Sequence, residues 1–251
     1  MRITSAGITN VGMKRQNNED NYLVNDAIGV YVVCDGMGGH AGGEYASQIA
    51  VTTIEEVLSN IRDENPELDV ATGEQITQEK IKYAIRLAGK RIYERAQADP
   101  EFRGMGTTAV ILLFRKGMAY LAHVGDSRGY LVRGGEITQR TEDHSWVNEQ
   151  IKAGLITPET AKHHRFRNII TRSLGFQEEV EIDTQVLRAE PGDLYLLCSD
   201  GLSNLIEDRE ILEMLVEKSF QEVARELIDT ANQRGGDDNI TLVIARVDSV
   251  S

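Results

Sequence analysis

The sequence is poor in cysteine and in positive charge, and each shortage excludes a class of protein. Its 251 residues include two cysteines, Cys34 and Cys198, which lie far apart and match no zinc-binding spacing. A secreted disulfide scaffold would normally need more of them. The net charge of −13 argues against nucleic acid and anionic membranes as partners, because both bind basic surfaces.

Long apolar runs and prolines are also scarce. No run approaches the roughly 20 apolar residues of a transmembrane helix, and the first five residues lack the apolar stretch of a signal peptide. We therefore expect a cytoplasmic protein without a membrane partner. Four prolines and no low-complexity tract indicate no linker, so residues 1–251 are predicted to form one domain. The polar segment 62–75 is interpreted as a surface loop between two helices.

Short β-rich runs bounded by turn residues predict the strands. Arg115-Lys116-Gly117 separates two such runs, and Gly134-Gly135 separates two more, as in β-hairpins. The predicted strands are 31–34, 107–114, 118–124, 130–132 with a partner around Ile137, 194–198 and 240–247. In the last strand, Leu242 and Ile244 are predicted to face a core between two sheets.

Apolar residues at helical spacing predict three helices with one buried face each, over 46–61, 81–96 and 220–231. Ser219 and Glu222 form a capping-box pattern before the third helix, and Thr157-Pro158 is typical of a helix start. Hairpin-linked strands between one-faced helices favour antiparallel sheets covered by helices over a repeating βαβ fold.

Acidic residues stand at the ends of the predicted strands. Asp35 and Asp200 each follow an apolar strand and precede a glycine, which lets the chain turn away sharply. Two such strands side by side would bring two carboxylates together, and a divalent cation between them would remove their repulsion. Asp-Gly is also common turn chemistry, so one pair alone would be weak evidence.

Further acidic clusters strengthen the case for a metal site. Glu19 and Asp20 precede a predicted strand, Asp126 follows another, and Asp237 and Asp238 open the last one. All of these groups offer oxygen and none offers thiolate, which favours the hard cations Mg²⁺ and Mn²⁺ over zinc or copper.

Eight motifs then follow one another along the whole chain, and they are listed here: Arg15–Asp20, Val33–Glu44, Gly106–Ala109, His123–Arg128, Asp143–Ser145, Ile170–Gly175, Cys198–Leu202 and Asp237–Thr241. Together and in this order they resemble the metal-dependent protein phosphatases, the PPM or type-2C serine/threonine phosphatase family, in its compact bacterial form. The resemblance implies an α+β fold, in which two antiparallel sheets form a sandwich flanked by helices on both faces.

The resemblance also implies roles for individual residues. Asp35 would bridge two metal ions and Gly36 would contribute its backbone carbonyl, while Asp200 and Asp238 would complete the core site. Asp238 is preferred to Asp237 because it directly precedes asparagine, as in the family motif. Asp126 together with Asp200 would hold a weaker third ion. Glu19 and Asp20 would hold metal-bound waters.

The implied reaction is the hydrolysis of phosphoserine and phosphothreonine by direct attack of a metal-bridging hydroxide, in a phosphoric monoester hydrolase that uses Mn²⁺ or Mg²⁺. Arg15 suits the phosphate because its planar, always charged guanidinium can bind two oxygens. Many eukaryotic members of the family place a histidine directly after the first Asp-Gly, as a proposed proton donor. Here Met37 stands at that position. His40 lies three residues later and is a candidate for substrate binding, with the alternative that it only shapes the loop; a water on the third metal is the preferred acid.

The resemblance places a flap beside the catalytic cleft at about 144–172. This segment carries several basic residues, which would attract a phosphorylated peptide or simply belong to solvated helices. We expect a monomer that reverses the work of a bacterial-type serine/threonine kinase on its protein targets. Two alternatives stay open: a regulatory relative without activity, which the retained aspartates disfavour, and a hydrolase of nucleotides or small phosphates.

Overall fold

The computed structural model describes residues 1–38, 42–61, 70–215 and 219–250. His40 and the first part of the predicted 62–75 loop lie outside these residues. The strands are β1 (Arg2–Asn10), β2 (Asn21–Asn25), β3 (Val30–Cys34), β4 (Gly36–Met37), β5 (Gly106–Thr107), β6 (Ala109–Arg115), β7 (Met118–Val124), β8 (Arg128–Arg133), β9 (Glu136–Gln139), β10 (Asp183–Arg188), β11 (Leu194–Cys198) and β12 (Ile240–Ser249). The helices are α1 (Gly42–Ser59), α2 (Val70–Ala98), α3 (Trp146–Lys152), α4 (Pro158–Lys162), α5 (Asp200–Ser203), α6 (Asp208–Met214) and α7 (Phe220–Gln233), with a short 3₁₀ turn at Pro100–Phe102.

Two antiparallel sheets of five strands form the centre of the fold. One sheet has the order β1-β12-β11-β8-β9 and the other has the order β10-β7-β6-β3-β2, while β4 and β5 form a separate small pair. This arrangement confirms the predicted class of an α+β sandwich.

Alternation along the strands produces three apolar layers. Val30, Val32 and Cys34 of β3 pack against α1 and α2, whereas Tyr31 and Val33 face the space between the sheets. On the other sheet, β11 and β12 turn one row of side chains toward α5, α6 and α7, and turn the other row inward. Because both faces of each sheet are covered, β3 and β11 are entirely buried.

The prediction for the faces of β12 was wrong. Leu242 and Ile244 pack on the helix side of their sheet, and the residues between the sheets are Val243, Ala245 and Val247. An apolar run that is buried on both faces carries no polar position from which the inward side could be told.

The predictions that depend only on residues close together in the sequence are confirmed. Lys116 and Gly117 both take positive φ angles of 49° and 77°, as the two-residue turn between β6 and β7 requires. Ser219 and Glu222 form the predicted capping box on α7.

The loop prediction was wrong at its end, because α2 already begins at Val70. The strands β1 and β10 were missed; both are edge strands of their sheets. Within the described residues, no helix has the length and apolar character needed to cross a bilayer.

Candidate metal centre

The register of the strands brings the acidic motifs to one end of the sandwich. β2 starts beside the end of β3, with Asn21 opposite Cys34, and β7 ends beside the start of β6. In the other sheet β11 ends beside the start of β12, with Cys198 opposite Leu242. The loops at this end carry Glu19, Asp20, Asp35, Asp126 and Asp238, and Asp200 is the first residue of α5. Asp35 and Asp200 therefore meet across the two sheets, and not on adjacent strands as the sequence suggested.

A cleft of about 380 Å³ opens at this end. Its lining consists of Arg15, Gln16, Asn17, Glu19, Asp35, Gly36, Met37, Gly38, Asp126, Asn168, Ile170, Asp200 and Asp238. Of the residues predicted for the site, all that are described line the cleft except Asp20, which is buried at 4% exposure. Asn168 and Ile170 also line the cleft; they were not named as site residues, although both fall within the predicted flap and Ile170 opens one of the eight motifs.

Hydrogen bonds fix the backbone around Asp35. The Asp35 N–H donates to the Thr108 hydroxyl at 2.9 Å, and the Thr108 N–H donates to the Asp35 carbonyl at 2.9 Å. At Gly36 a Cβ atom would lie 2.2 Å from the Gly43 carbonyl oxygen and 2.5 Å from that of Glu19. A side chain at position 36 would thus displace the backbone, and glycine keeps this turn in place.

Asp126 is held at the end of β7 by a second constrained turn. Gly125 has a φ of +104°, and a Cβ there would lie 2.5 Å from the Thr108 side chain. The Ser127 hydroxyl lies 2.7 Å from the Thr108 hydroxyl, so one threonine links the segments of Asp35 and Asp126. Asp126 is 8% exposed.

Three buried carboxylate oxygens have no hydrogen-bond donor within the described residues: Oδ1 of Asp20, of Asp126 and of Asp200. The second oxygen of Asp20 accepts a hydrogen bond from Ser199 at 2.8 Å, and that of Asp200 accepts one from Asn204 at 3.0 Å. Buried polar atoms are rarely left unpaired in folded proteins. Their grouping fits a centre that is completed by cations.

The electrostatics give the same result. Burial raises the pKa of Asp35 well above its usual range, and the nearby charges of Asp20, Asp200, Asp126 and Asp238 raise it further. Burial likewise raises the pKa of Asp20 to about 7. Carboxylates that repel one another at short range are stabilised in their charged form by bound cations. The donor set is oxygen throughout, which suits Mn²⁺ or Mg²⁺.

The two cysteines take no part in this chemistry. Cys34 and Cys198 are buried in the outer cores of their sheets. Burial raises the pKa of the Cys198 thiol to about 12, and it raises that of Cys34 as well. Both therefore remain protonated and serve as small apolar residues.

Arg15 lies at the mouth of the cleft. Its Nη2 donates to Asp238 Oδ2 at 2.8 Å, and 51% of its side chain is exposed. Burial opposes its charge, but the carboxylates of Asp238, Glu19 and Asp35 outweigh that effect and raise its pKa. A charged guanidinium with open donors at this position can bind a phosphate oxygen.

A second group of possible ligands, His123, His144 and Asp183, lies beyond Asp126, with one ligand atom from each residue within 4.8 Å of the others. Both nitrogens of His144 are already engaged, and so is Nε2 of His123, which lies 2.8 Å from the Glu142 carbonyl oxygen. Gly125 N–H points at His144 Nδ1 at 3.1 Å, while Arg172 Nη1 lies 3.1 Å from His144 Nε2 and 3.2 Å from Asp183. A guanidinium at this point disfavours a cation. We interpret the group as a hydrogen-bonded anchor for the base of the flap.

The segment predicted to be a flap, about 144–172, has a small aromatic core of its own. The Trp146 ring stacks on His164 with centroids 4.9 Å apart, and the backbone N–H of Trp146 donates to the Ile169 carbonyl at 2.8 Å. Ser145 pairs with Ile170 as an isolated β-bridge at the base. These contacts orient the segment that delivers Asn168 and Ile170 to the cleft.

Comparisons with known proteins agree with this geometry. The sequence model described as protein phosphatase 2C matches residues 13–242. A putative protein phosphatase 2C-type of Streptococcus pyogenes is 42% identical and covers 96% of both chains. The serine/threonine protein phosphatase PstP of Mycobacterium tuberculosis is 41% identical over 94% of this chain, which spans 43% of the length of that relative. A solved catalytic domain of PstP with two manganese ions superposes with a TM-score of 0.86, at 36% identity, and covers 98% of this chain and 99% of that domain.

The two-sheet sandwich with helices on both faces, which carries the carboxylate cleft at one end, is the fold of the solved PstP phosphatase domain. The chain belongs to the protein phosphatase 2C family.

Proposed function

We propose that this chain hydrolyses phosphoserine and phosphothreonine on proteins, using Mn²⁺ or Mg²⁺. The observation that carries this proposal is the convergence of four aspartates and one arginine on a single cleft, with the buried Asp20 behind it; Asp20 and two of the cleft aspartates have unpaired buried oxygens. The names of the relatives, serine/threonine phosphatases, support the choice of substrate.

The residues present fit two cations in the core and a weaker third. Asp35, the Gly36 carbonyl, Asp200 and Asp238 would hold the first two, and Asp126 with Asp200 would hold the third. The two manganese ions of the related catalytic domain support the core pair. When bound, such ions neutralise a phosphate dianion and lower the pKa of a coordinated water toward neutrality.

The remaining residues bind and orient. Arg15 would bind the phosphate, with its guanidinium held toward the cleft by Asp238. Asp20 would accept a hydrogen bond from water through its unpaired Oδ1, while Ser199 holds its other oxygen in place. Glu19, in the cleft lining, would do the same from the Arg15 side. His40 stays a predicted substrate contact outside the described residues.

A panel of phosphoserine and phosphothreonine peptides, assayed with Mn²⁺ and with chelator, tests the proposal. We expect turnover that chelator abolishes and Mn²⁺ or Mg²⁺ restores. Nucleotides and small phosphate esters serve as the comparison, because a higher kcat/KM on nucleotides would favour the alternative of a small-phosphate hydrolase. Turnover that persists after exhaustive metal removal would contradict the metal centre.

We extend the proposal to the whole chain and its setting. One catalytic domain with a flap at about 144–172 would act as a cytoplasmic monomer and oppose a serine/threonine kinase. The flap residues Asn168 and Ile170 in the cleft lining support a protein substrate, since they extend the site beyond the carboxylates. Replacing the flap residues Asn168 and Ile170 by alanine should impair turnover of phosphoproteins more than turnover of small phosphate esters.

A further inference from the structure

The segment that carries Arg15 contains neither helix nor strand. Residues 11–19 run as turns and loop between β1 and β2, and residues 13–17 are exposed. A guanidinium on such a segment is useful for binding phosphate only if the backbone is held in place, since a free loop would lose conformational entropy on every binding event.

One buried side chain makes three of the hydrogen bonds that hold this segment, beside the Met13 N–H that donates to the Gly236 carbonyl at 2.8 Å and the Asn18 amide that donates to the Thr9 hydroxyl at 2.8 Å. Asn239, at 4% exposure, accepts the Glu19 N–H on its Oδ1 at 2.7 Å. Its Nδ2 donates to the carbonyls of Val11 and Asn17, both at 2.9 Å. The two carbonyl contacts lie on either side of Arg15 in the sequence, so the amide closes the loop around it.

The chemistry of the amide is specific. The Nδ2 group has two N–H donors and both are used, and the oxygen faces an N–H donor. A carboxylate of the same shape would place a charged oxygen against two carbonyl oxygens, and an apolar residue would leave three backbone groups unpaired. Only asparagine among residues of this size satisfies all three.

We propose that Asn239 is a positioning residue for phosphate binding: its side chain holds the 11–19 loop so that Arg15 is directed into the cleft. This inference rests on the proposed function of the site. The adjacent ligand candidate Asp238 is contacted by the backbone of Asn239 and not by its side chain: the Asn239 N–H donates to Asp238 Oδ1 at 2.9 Å. A change confined to the Asn239 side chain thus retains that contact.

The test is a double-mutant cycle of Asn239→Ala and Arg15→Ala in the full chain with Mn²⁺, read as KM for a phosphopeptide and as the inhibition constant of inorganic phosphate. For Asn239→Ala we expect both constants to rise about tenfold, with kcat within about twofold of wild type. In the Arg15→Ala background the same change should have no further effect, because the group that it positions is gone. Effects that multiply in the double variant, or unchanged constants in Asn239→Ala, would overturn the inference.

Two measurements separate this role from a merely structural one. Direct Mn²⁺ titration of Asn239→Ala should give wild-type affinity; a loss of Mn²⁺ binding equal to the loss of activity would place the effect at Asp238 and refute the proposal. Asn25→Ala is the matched control, because it removes an amide that lies away from the cleft and donates a hydrogen bond of 2.9 Å to Glu55. The KM of this variant should be unchanged. If Asn239→Ala does not fold, Asn239→Ser, whose hydroxyl is too short to replace the amide but leaves a small polar group at the site, replaces it in the cycle with the same expected pattern. A wild type without phosphopeptide turnover would instead contradict the proposed function itself.

Discussion

Asp20→Asn should make the metal-free protein more stable at pH 8 while it impairs the enzyme. Asp20 is almost fully buried, and its pKa is raised to about 7 by burial and by the charges of Asp200 and Asp238, against hydrogen bonds from Ser199 and Thr241 that lower it. In the unfolded chain the carboxyl returns to its ordinary pKa of 3.8. Between these values the folded state keeps a proton that the unfolded state has lost.

The sign and size follow from this difference. The unfolded state binds fewer protons than the folded state between pH 3.8 and about 7, so stability falls as the pH rises through this window and then levels off. At about 1.4 kcal/mol for each pH unit, the cost above pH 7 is on the order of 4 kcal/mol. Asparagine has no charge to bury, and its amide oxygen can still accept the hydrogen bond from Ser199.

Urea unfolding in chelator at pH 5, 6, 7 and 8 measures the effect. Wild-type stability should decline across the series, and Asp20→Asn should exceed wild type at pH 8 by up to about 4 kcal/mol. Asp237→Asn is the control: this neighbouring carboxylate is exposed, so stability should stay within about 0.5 kcal/mol of wild type. With Mn²⁺ the advantage of Asp20→Asn should shrink, because bound cations offset the same charges. An Asp20→Asn variant no more stable than wild type at pH 8 in chelator would refute the reasoning.

Three further predictions concern catalysis. Asp35→Ala or Asp238→Ala should lose activity by orders of magnitude while circular dichroism shows a folded protein; near-normal turnover in Mn²⁺-loaded Asp35→Ala would mean that the site is misplaced. Arg15→Ala should raise KM more than it lowers kcat, since a phosphate contact already forms in the ground state, and steady-state kinetics that show the opposite split would assign Arg15 to the transition state. In wild type, activity should keep rising with Mn²⁺ after two equivalents have bound; Asp126→Ala should remove that later phase and lower kcat, and an unchanged Mn²⁺ profile would exclude Asp126 from a third site.

Much of the fold could be predicted from local sequence because its causes are local. The Lys116-Gly117 turn and the Ser219 cap depend on residues within a few positions of each other, and both appear as expected. The candidate site was predictable for a related reason: each aspartate lies within two residues of a strand, so a sheet of any order places it near a strand end. The resemblance to a family then supplied the order of the motifs.

Other features depended on contacts between distant segments. Whether Leu242 or Val243 faces the inner core was decided by which sheet face the helices cover, since both residues are equally apolar. The flap residues Asn168 and Ile170 reach the cleft through the bridge at the flap base, which their own sequence does not encode. From the sequence, Asn239 served only to identify Asp238 in the family motif, and nothing indicated the contacts of its own side chain.

The sequence by itself determined that the acidic residues lie near the ends of strands and that the atoms they offer to a metal are oxygens. Both follow from short segments, because strand period and side-chain chemistry are local properties. Only the tertiary structure decided that Asp35 and Asp200 meet from opposite sheets, and that the Asn239 amide closes the loop around Arg15. The physical reason is that pairing across sheets and buried hydrogen bonds join residues more than 150 positions apart, and no local pattern specifies which distant backbone groups will be left for a side chain to satisfy.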